Sequence, residues 1–373
     1  MNQVMNQVKN IVKSAAEEAG FDLSGIAPAS DPSELRHFPE WISAGHAGEM
    51  KYMEARDDQG ALKRGSLSRV APWARSVVVC AINYNTDHPY STQAHPTHAH
   101  PTQAHSTQTH DSSRGWISRY AWGHEDYHNA VLRRLKQVEA ALRQAVPAQE
   151  QGSLTTRSYV DTGPVVERAF ARYSGVGWIG KNTCVINQKK GSWLFLGVIL
   201  TSLELEPDLP APDRCGSCTR CIQACPTDAI LGPYQLDANR CISYLTIEKR
   251  GSIPEDLRAG MGPHIFGCDI CQDVCPWNRK APVSTAPEFA PRPGLVNPAL
   301  AWLAEMSAEE FRGAFRGSPV RRTKRTGLRR NAAIAMGNSG NAEFVPALDQ
   351  LASDEDAAVA ESARWAKSRL LKR

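Results

Sequence analysis

Cysteine spacing constrains this chain more than any other feature. Eight of its ten cysteines fall between Cys215 and Cys275. The first run reads Cys215-x2-Cys218-x2-Cys221-x3-Cys225-Pro226. In that pattern three closely spaced thiolates hold one iron–sulfur cluster, and the fourth, just ahead of the proline, reaches a second. A partner run, Cys268-x2-Cys271-x3-Cys275-Pro276, lacks its first cysteine, and Cys241 between the runs can replace it. Crossing the fourth cysteines assigns Cys215, Cys218, Cys221 and Cys275 to one [4Fe-4S] cluster, and Cys225, Cys241, Cys268 and Cys271 to the other. Structural zinc also takes four cysteines, but usually as two separated Cys-x2-Cys pairs, so two cubanes are expected. Cys80 and Cys184 are left over. Both lie in apolar, strand-like text and are expected as buried, inert thiols.

The rest of the chain reads as folded and non-membrane. Hydrophobic residues make up 42% and charged residues 22% of 373 positions, a globular balance. No apolar run approaches the ~20 residues that span a bilayer. The N-terminus carries acidic residues and no uninterrupted apolar stretch, so it is not read as a secretory signal. Its Val4, Val8, Ile11, Val12 and Ala15 follow helical spacing, with Gly20 as the cap. A reducing, cytoplasmic setting fits thiolate ligation. The net charge of +4 is too small for general nucleic-acid affinity, so any such contact must come from a local patch. Residues 316–330 supply one, with seven basic and no acidic residues.

Local patterns place the remaining elements. Residues 74–82 form an apolar, β-branched run typical of a buried strand. Residues 129–146 form an amphipathic helix with the stripe Val131, Leu132, Leu135, Val138, Leu142 and Val146. Tyr159-Val160 ends a strand, Asp161 to Pro164 turn, and a helix is expected over 165–173 with Pro164 suited to its first turn. Read from the residues alone, Asp161 is best taken as that helix's cap. Strands are expected at 184–187 and 193–200. Gly175, Gly177 and Gly180 match the dinucleotide pattern, but a helix precedes them and a strand follows, the reverse of what a pyrophosphate site needs. Residues 86–113, rich in His, Thr, Gln and Pro, are expected to be a disordered surface insertion. Prolines between 207 and 212 and between 282 and 298 mark linkers, and an Ala-rich helical stretch follows.

Four strings carry a family resemblance. They are Tyr159-Val-Asp161-Thr-Gly-Pro-Val-Val-Glu167-Arg168-Ala, Gly177-Trp178-Ile179-Gly180-Lys181-Asn182-Thr183, Cys241-Ile-Ser243-Tyr244-Leu-Thr-Ile-Glu248, and Gly267-Cys268-Asp269-Ile-Cys271-Gln272-Asp-Val-Cys275-Pro276-Trp277-Asn278. Together they closely resemble the epoxyqueuosine reductase family, over most of the chain. The stretch 86–113 departs from the family pattern and reads as a loop insertion. The resemblance implies an α+β fold: a cobalamin-binding α/β sandwich domain over 1–208, a ferredoxin-like double [4Fe-4S] domain over 209–285, and a C-terminal region over 286–373 with a HEAT-like helical unit. The fold is shared with reductive dehalogenases. The implied reaction reduces the epoxide of epoxyqueuosine, at the wobble position of tRNAs with GUN anticodons, to the alkene of queuosine.

The same resemblance implies roles for particular residues. Asp161 matches the family's proton donor at the cobalamin, an acid expected to sit in a partly dry pocket. Ser243, Cys268 and Asp269 match positions that touch the corrin, and Lys181 and Asn182 are candidate pocket residues. The string Asp-x-His-x-x-Gly is absent, since Asp126-Tyr127-His128 lacks the glycine. Cobalamin is therefore expected base-off, with no protein histidine on the cobalt. Arg321, Arg322, Lys324, Arg325, Arg329 and Arg330 are expected to meet tRNA phosphates. A low-potential electron donor of unknown identity, no membrane association and a monomeric state complete the expectation. A dehalogenase acting on small molecules would share the scaffold, but it has no use for the basic C-terminal unit. A plain electron carrier has no use for the Asp161 motif.

Overall fold

The structure is a computed structural model that describes residues 2–95, 111–147 and 152–372. The histidine-rich residues 96–110 and the side chain of Val4 lie outside the described residues. The fold mixes helices and strands in two compact units, each assembled from three separate stretches of chain.

The first unit comprises Met1–Asn85, Tyr127–Cys218 and Trp277–Glu288. Its centre is a four-stranded antiparallel sheet built from β1 (Leu23–Pro28), β2 (Ser76–Asn83), β3 (Thr156–Tyr159) and β6 (Leu194–Thr201), in the order β1-β2-β6-β3. A hairpin of β4 (Trp178–Ile179) and β5 (Val185–Ile186) stands apart from it. Every residue of β2 is buried, because helices cover both of its faces. Val77, Val79 and Ala81 share a core with Phe170 and Ala171 of α3 (Glu167–Tyr173). On the other face Cys80 is paired with Gly197, against which Val131 and Leu135 of α2 (Tyr127–Ala145) pack closely. Cys80 is the buried thiol expected, and burial pushes its pKa up to about 12.

The helix stripes differ from the sequence pattern at their flanks. In α1 (Asn2–Glu18) Val8, Val12 and Ala16 are buried while Ile11 is exposed. In α2, Ala130 joins Val131, Leu135, Val138 and Leu142 inside, and Leu132 is exposed. A stripe set by 3.6-residue periodicity has flanks, and the neighbouring helix decides which flank is covered.

The glycine-rich string behaves as its local order implies. The helix α3 precedes it and the β4–β5 hairpin follows it. A Cβ on Gly177 would lie 2.5 Å from the Ile186 carbonyl oxygen, so glycine is needed there for hairpin closure.

The second unit comprises Thr86–Asp126, Thr219–Pro276 and Phe289–Arg373. It holds most of the cysteine segment and the C-terminal helices. The short strands Trp116–Ile117 and His264–Phe266 pair in parallel. Around them lie α4 (Ile242–Ile247), α5 (Ile270–Asp273), α6 (Lys324–Ser339), α7 (Val345–Leu351) and α8 (Ala357–Leu371). One apolar core runs from Trp116, Trp122 and Phe266 to Leu328, Val359 and Ala363. The helices α6 and α8 cross on small residues: a Cβ on Gly337 would meet the Cα of Ala366 at 2.7 Å. Gly340, in the left-handed conformation, ends α6.

The start of the expected disordered insertion is ordered. Arg119 is buried and donates to the carbonyls of Thr86, His88 and Pro89. His95 is also buried, edge-on to Trp116. The composition of 86–95 gave no sign of this, because most of the acceptors that bind the arginine are backbone carbonyls, joined by the Thr86 hydroxyl and the Tyr90 ring. No helix among the described residues is long and apolar enough to cross a membrane.

Candidate active site

The strand β3 delivers the chain to Asp161, whose φ of +55° lies in the left-handed region that aspartate tolerates better than most residues. The helix begins at Glu167 rather than at Val165, and its cap is Val166 without any side-chain cap bond. Asp161 is therefore not a helix cap. Its carboxylate Oδ2 accepts a hydrogen bond from the Tyr127 hydroxyl at 2.9 Å, and His128 Nε2 lies 3.9 Å from the same oxygen. Tyr127 is itself held by parallel stacking on Phe195 of β6, centroids 4.4 Å apart. The Asp161 side chain is 70% exposed, so the acid stands at a polar surface of this unit and not in the dry pocket expected.

The carboxyl group with the raised pKa is the neighbouring, partly buried one. Glu167 Oε1 accepts the Asp161 backbone N–H at 3.1 Å. Burial pushes its pKa up, and the Asp161 charge adds to this. Against the hydrogen bond from its own N–H and the nearby Arg64 and Arg168, the pKa stands at about 7. The loop is clamped on both sides: Arg64 donates to the Val165 carbonyl at 3.3 Å and Arg168 to the Thr183 carbonyl at 2.6 Å. The folded chain binds the Glu167 proton more tightly than an unfolded one would. This part of the stability is complete below about pH 4.5 and is lost as the pH rises to about 7. Glu167→Gln is expected to flatten the fall in melting temperature across that window. A glutamine variant with an unchanged pH slope would contradict the assignment. Sequence reasoning passed over Glu167 because nothing in a linear string marks a carboxylate as partly desolvated.

Two other expected pocket residues are committed elsewhere in this unit. Lys181 Nζ donates to the carbonyls of Gly216 at 2.6 Å and Cys218 at 3.0 Å. Asn182 is buried, and its Oδ1 accepts the Cys184 N–H at 3.2 Å, closing its own turn. Cys184 is only partly buried, unlike the expectation.

In the second unit the cysteines sit at helix starts. Cys241 caps α4, and Cys268 lies two residues before α5. Cys225 Sγ accepts the Ala229 N–H at 3.3 Å. Burial, then the Cys241 charge, pushes the Cys268 thiol pKa well up, and Asp269 and Cys225 add to it. The Cys268 thiol therefore lies in the field of Cys241 and Cys225, two cysteines assigned to the same cluster. Such a set becomes stable as thiolates when a metal centre supplies positive charge, so the donor set fits an iron–sulfur group.

Asp269 does not have the side-chain role expected of it. It is 1% exposed, and its oxygens accept from Trp116 Nε1 at 3.0 Å, the Ser118 hydroxyl and the Arg119 N–H at 2.8 Å. Its carboxylate ties the 116–119 segment to the start of α5 and is occupied on both oxygens. Asp273 likewise accepts from the Ser91 hydroxyl and the Thr92 N–H. Ser243 is partly exposed in the first turn of α4.

The six basic C-terminal candidates separate sharply. Arg330 is 2% exposed and donates to the carbonyls of Leu245, Lys249 and Gly251. Arg329 pairs with Asp354, and Arg325 donates to the Met306 carbonyl. Arg322 pairs with Glu248 while staying half exposed. Arg321 and Lys324 are exposed. A helix turns every third or fourth residue of a basic string inward, and carbonyls away from water need donors.

Two family models match the chain. One, described as "4Fe-4S double cluster binding domain", covers residues 214–278. The other, "Epoxyqueuosine reductase QueG, DUF1730", covers residues 64–162, ending just past Asp161. The epoxyqueuosine reductase of Xanthomonas campestris pv. campestris is 38% identical over 95% of this chain and 94% of its own length. This chain belongs to the epoxyqueuosine reductase family. The Synechocystis relative, of the same name, is 40% identical over 83% of this chain and 98% of its own length. A crystal structure of an epoxyqueuosine reductase with an epoxyqueuosine-modified tRNA-Tyr stem loop matches at a TM-score of 0.82 and 30% identity, covering 98% of this chain and 91% of that one. The chain is thus an oxidoreductase of the epoxyqueuosine reductase type, with a 4Fe-4S binding segment.

Proposed function

We propose that this chain reduces the epoxide of epoxyqueuosine, at the wobble position of tRNAs with GUN anticodons, to the alkene of queuosine, with Asp161 as proton donor. The observation that carries this reading is the Asp161 carboxyl group, which accepts from the Tyr127 hydroxyl while the Asp161 backbone N–H donates to Glu167, in a chain of this family. The reaction breaks the two epoxide C–O bonds and forms the C=C bond. It takes up two electrons and two protons and releases the oxygen as water. Protonating an outgoing oxygen in the transition state is general-acid work. An exposed carboxyl group can regain its proton from solvent, and Tyr127 fixes the direction it faces.

Cobalamin and two [4Fe-4S] clusters are the proposed cofactors. The chemistry that cobalamin supplies, when bound, is a strongly reducing cobalt. Asp161, Ser243 and Cys268 are the residues proposed to hold it, since the Lys181, Asn182 and Asp269 side chains are engaged in the fold. His128 is turned toward Asp161, which favours base-off binding without a histidine ligand. The cluster on Cys225, Cys241, Cys268 and Cys271 is proposed to pass electrons to the cobalt. The cluster on Cys215, Cys218, Cys221 and Cys275 would take them from a low-potential donor. A cytoplasmic monomer whose last helices form a HEAT-like unit completes the proposal.

The test is mass analysis of nucleosides from epoxyqueuosine-containing tRNA after anaerobic incubation with the reduced chain and cobalamin. Queuosine is the expected product, and unchanged epoxyqueuosine would overturn the reading. For the RNA surface, Arg321 and Lys324 are the cations the fold leaves outward. Replacing both with alanine is expected to weaken tRNA binding and to reduce the slope of log affinity against log salt by roughly 1.5. Filter binding across a salt series would show this, and an unchanged slope would place the phosphate contacts elsewhere.

A further inference from the structure

Lys181 is held on a rigid turn. The Thr183 N–H donates to the Gly180 carbonyl at 2.8 Å, the Gly180 N–H donates to the Cys184 carbonyl at 2.8 Å, and buried Asn182 closes the same turn from inside. From that base the lysine reaches across to a segment 35 residues further along the chain. Its ammonium takes both the Gly216 carbonyl, at 2.6 Å, and the Cys218 carbonyl, at 3.0 Å. These two carbonyls belong to the loop that presents Cys215 and Cys218, a loop that turns through left-handed Gly216.

A carbonyl can be satisfied by water or by a neutral donor. An ammonium does more, because it brings a full positive charge that cannot be carried away from the loop without breaking both bonds. Two further hydrogen bonds shape the loop: the Cys218 N–H donates to the Cys215 carbonyl at 3.2 Å, and the Cys215 N–H to Asp213 Oδ1 at 2.7 Å. A cluster's reduction potential follows its net charge and its surroundings. Reduction adds one electron to a centre already carrying thiolate charge, so a fixed cation nearby favours the reduced form.

We propose that Lys181 is a positioning residue for the cluster that takes Cys215 and Cys218, holding that loop in its ligating shape and raising the cluster's reduction potential. The step concerned is the entry of one electron from an external one-electron donor, with no bond made or broken and no proton moved. The proposal rests on the iron–sulfur reading of these cysteines and is independent of the substrate.

The test uses the full chain, reconstituted anaerobically with iron and sulfide, as wild type, Lys181→Arg and Lys181→Met. Iron per chain is measured first. An EPR-monitored titration with dithionite and mediators then follows each cluster's signal. In Lys181→Met the reduced-to-oxidised ratio of one cluster, at a fixed potential, is expected to fall about tenfold, which is 59 mV for a one-electron couple. The other cluster should be unmoved, and Lys181→Arg should stay near wild type. Loss of one cluster alone in Lys181→Met, with the other retained, would support the holding role. Wild-type iron content and wild-type potentials for both clusters in Lys181→Met would overturn the proposal. A wild-type chain that takes up no iron would overturn the cluster reading beneath it, and is told apart by the first measurement.

Discussion

Asp161→Asn is expected to keep the fold and tRNA binding but to lower turnover by roughly 100- to 10,000-fold, the range general-acid catalysis commonly contributes. The side chain is largely exposed, so asparagine fits the same place. Asparagine also tolerates the positive φ that Asp161 adopts. Its amide oxygen can still accept from the Tyr127 hydroxyl, which keeps the geometry. What it lacks is a proton to give. Single-turnover assays with nucleoside mass analysis would measure the loss, and thermal melting would confirm the unchanged fold. Turnover within about threefold of wild type would remove Asp161 from the reaction. The helix-cap role would not return, since Val166 holds that position.

Arg330→Met is expected to destabilise the second unit by roughly 3–5 kcal/mol, because it removes hydrogen bonds from a charged donor, worth about 1.5–3 kcal/mol each, one of them to the buried Leu245 carbonyl. Arg330 donates to the Leu245 carbonyl at 2.8 Å, Lys249 at 2.9 Å and Gly251 at 2.6 Å. These carbonyls lie at and just beyond the C-terminal end of α4, where a cation also complements the helix dipole. Asn331 continues the same staple, donating to the carbonyls of Thr246 and Ile265 at 2.9 Å. Methionine restores most of the volume and none of the hydrogen bonds. A lower urea midpoint would be the direct readout. The salt dependence of tRNA binding by the folded fraction should be unchanged, in contrast with Arg321 and Lys324. A variant as stable as wild type that lost tRNA affinity would return Arg330 to the RNA surface.

These two cases show how legibility varied along the chain. The β2 strand, the α2 helix and the reversed order around Gly175, Gly177 and Gly180 were readable, because their signals lie within one element. The Asp161 loop was readable as a turn, but not as a surface-exposed acid beside a partly buried one. Lys181 and Asp269 were assigned to a cofactor because they stand in recognisable strings. Their partners, the carbonyls of Gly216 and Cys218 and the donors of Trp116, Ser118 and Arg119, lie far away in sequence. The residues 86–95 looked unstructured because a backbone that accepts from a buried arginine leaves no trace in composition.

The amino-acid sequence by itself determined the cysteine spacing of a 4Fe-4S binding segment, the family and the principal strands and helices. Each of these depends on residue type at short, regular spacing, which a linear string preserves. Tertiary structure alone decided which charges face water and which carboxylate is desolvated. It also decided which lysine serves a cysteine loop and which arginine lies in the core. Burial and long-range hydrogen bonding depend on what the fold brings against a residue, and no residue carries that information in its own neighbourhood.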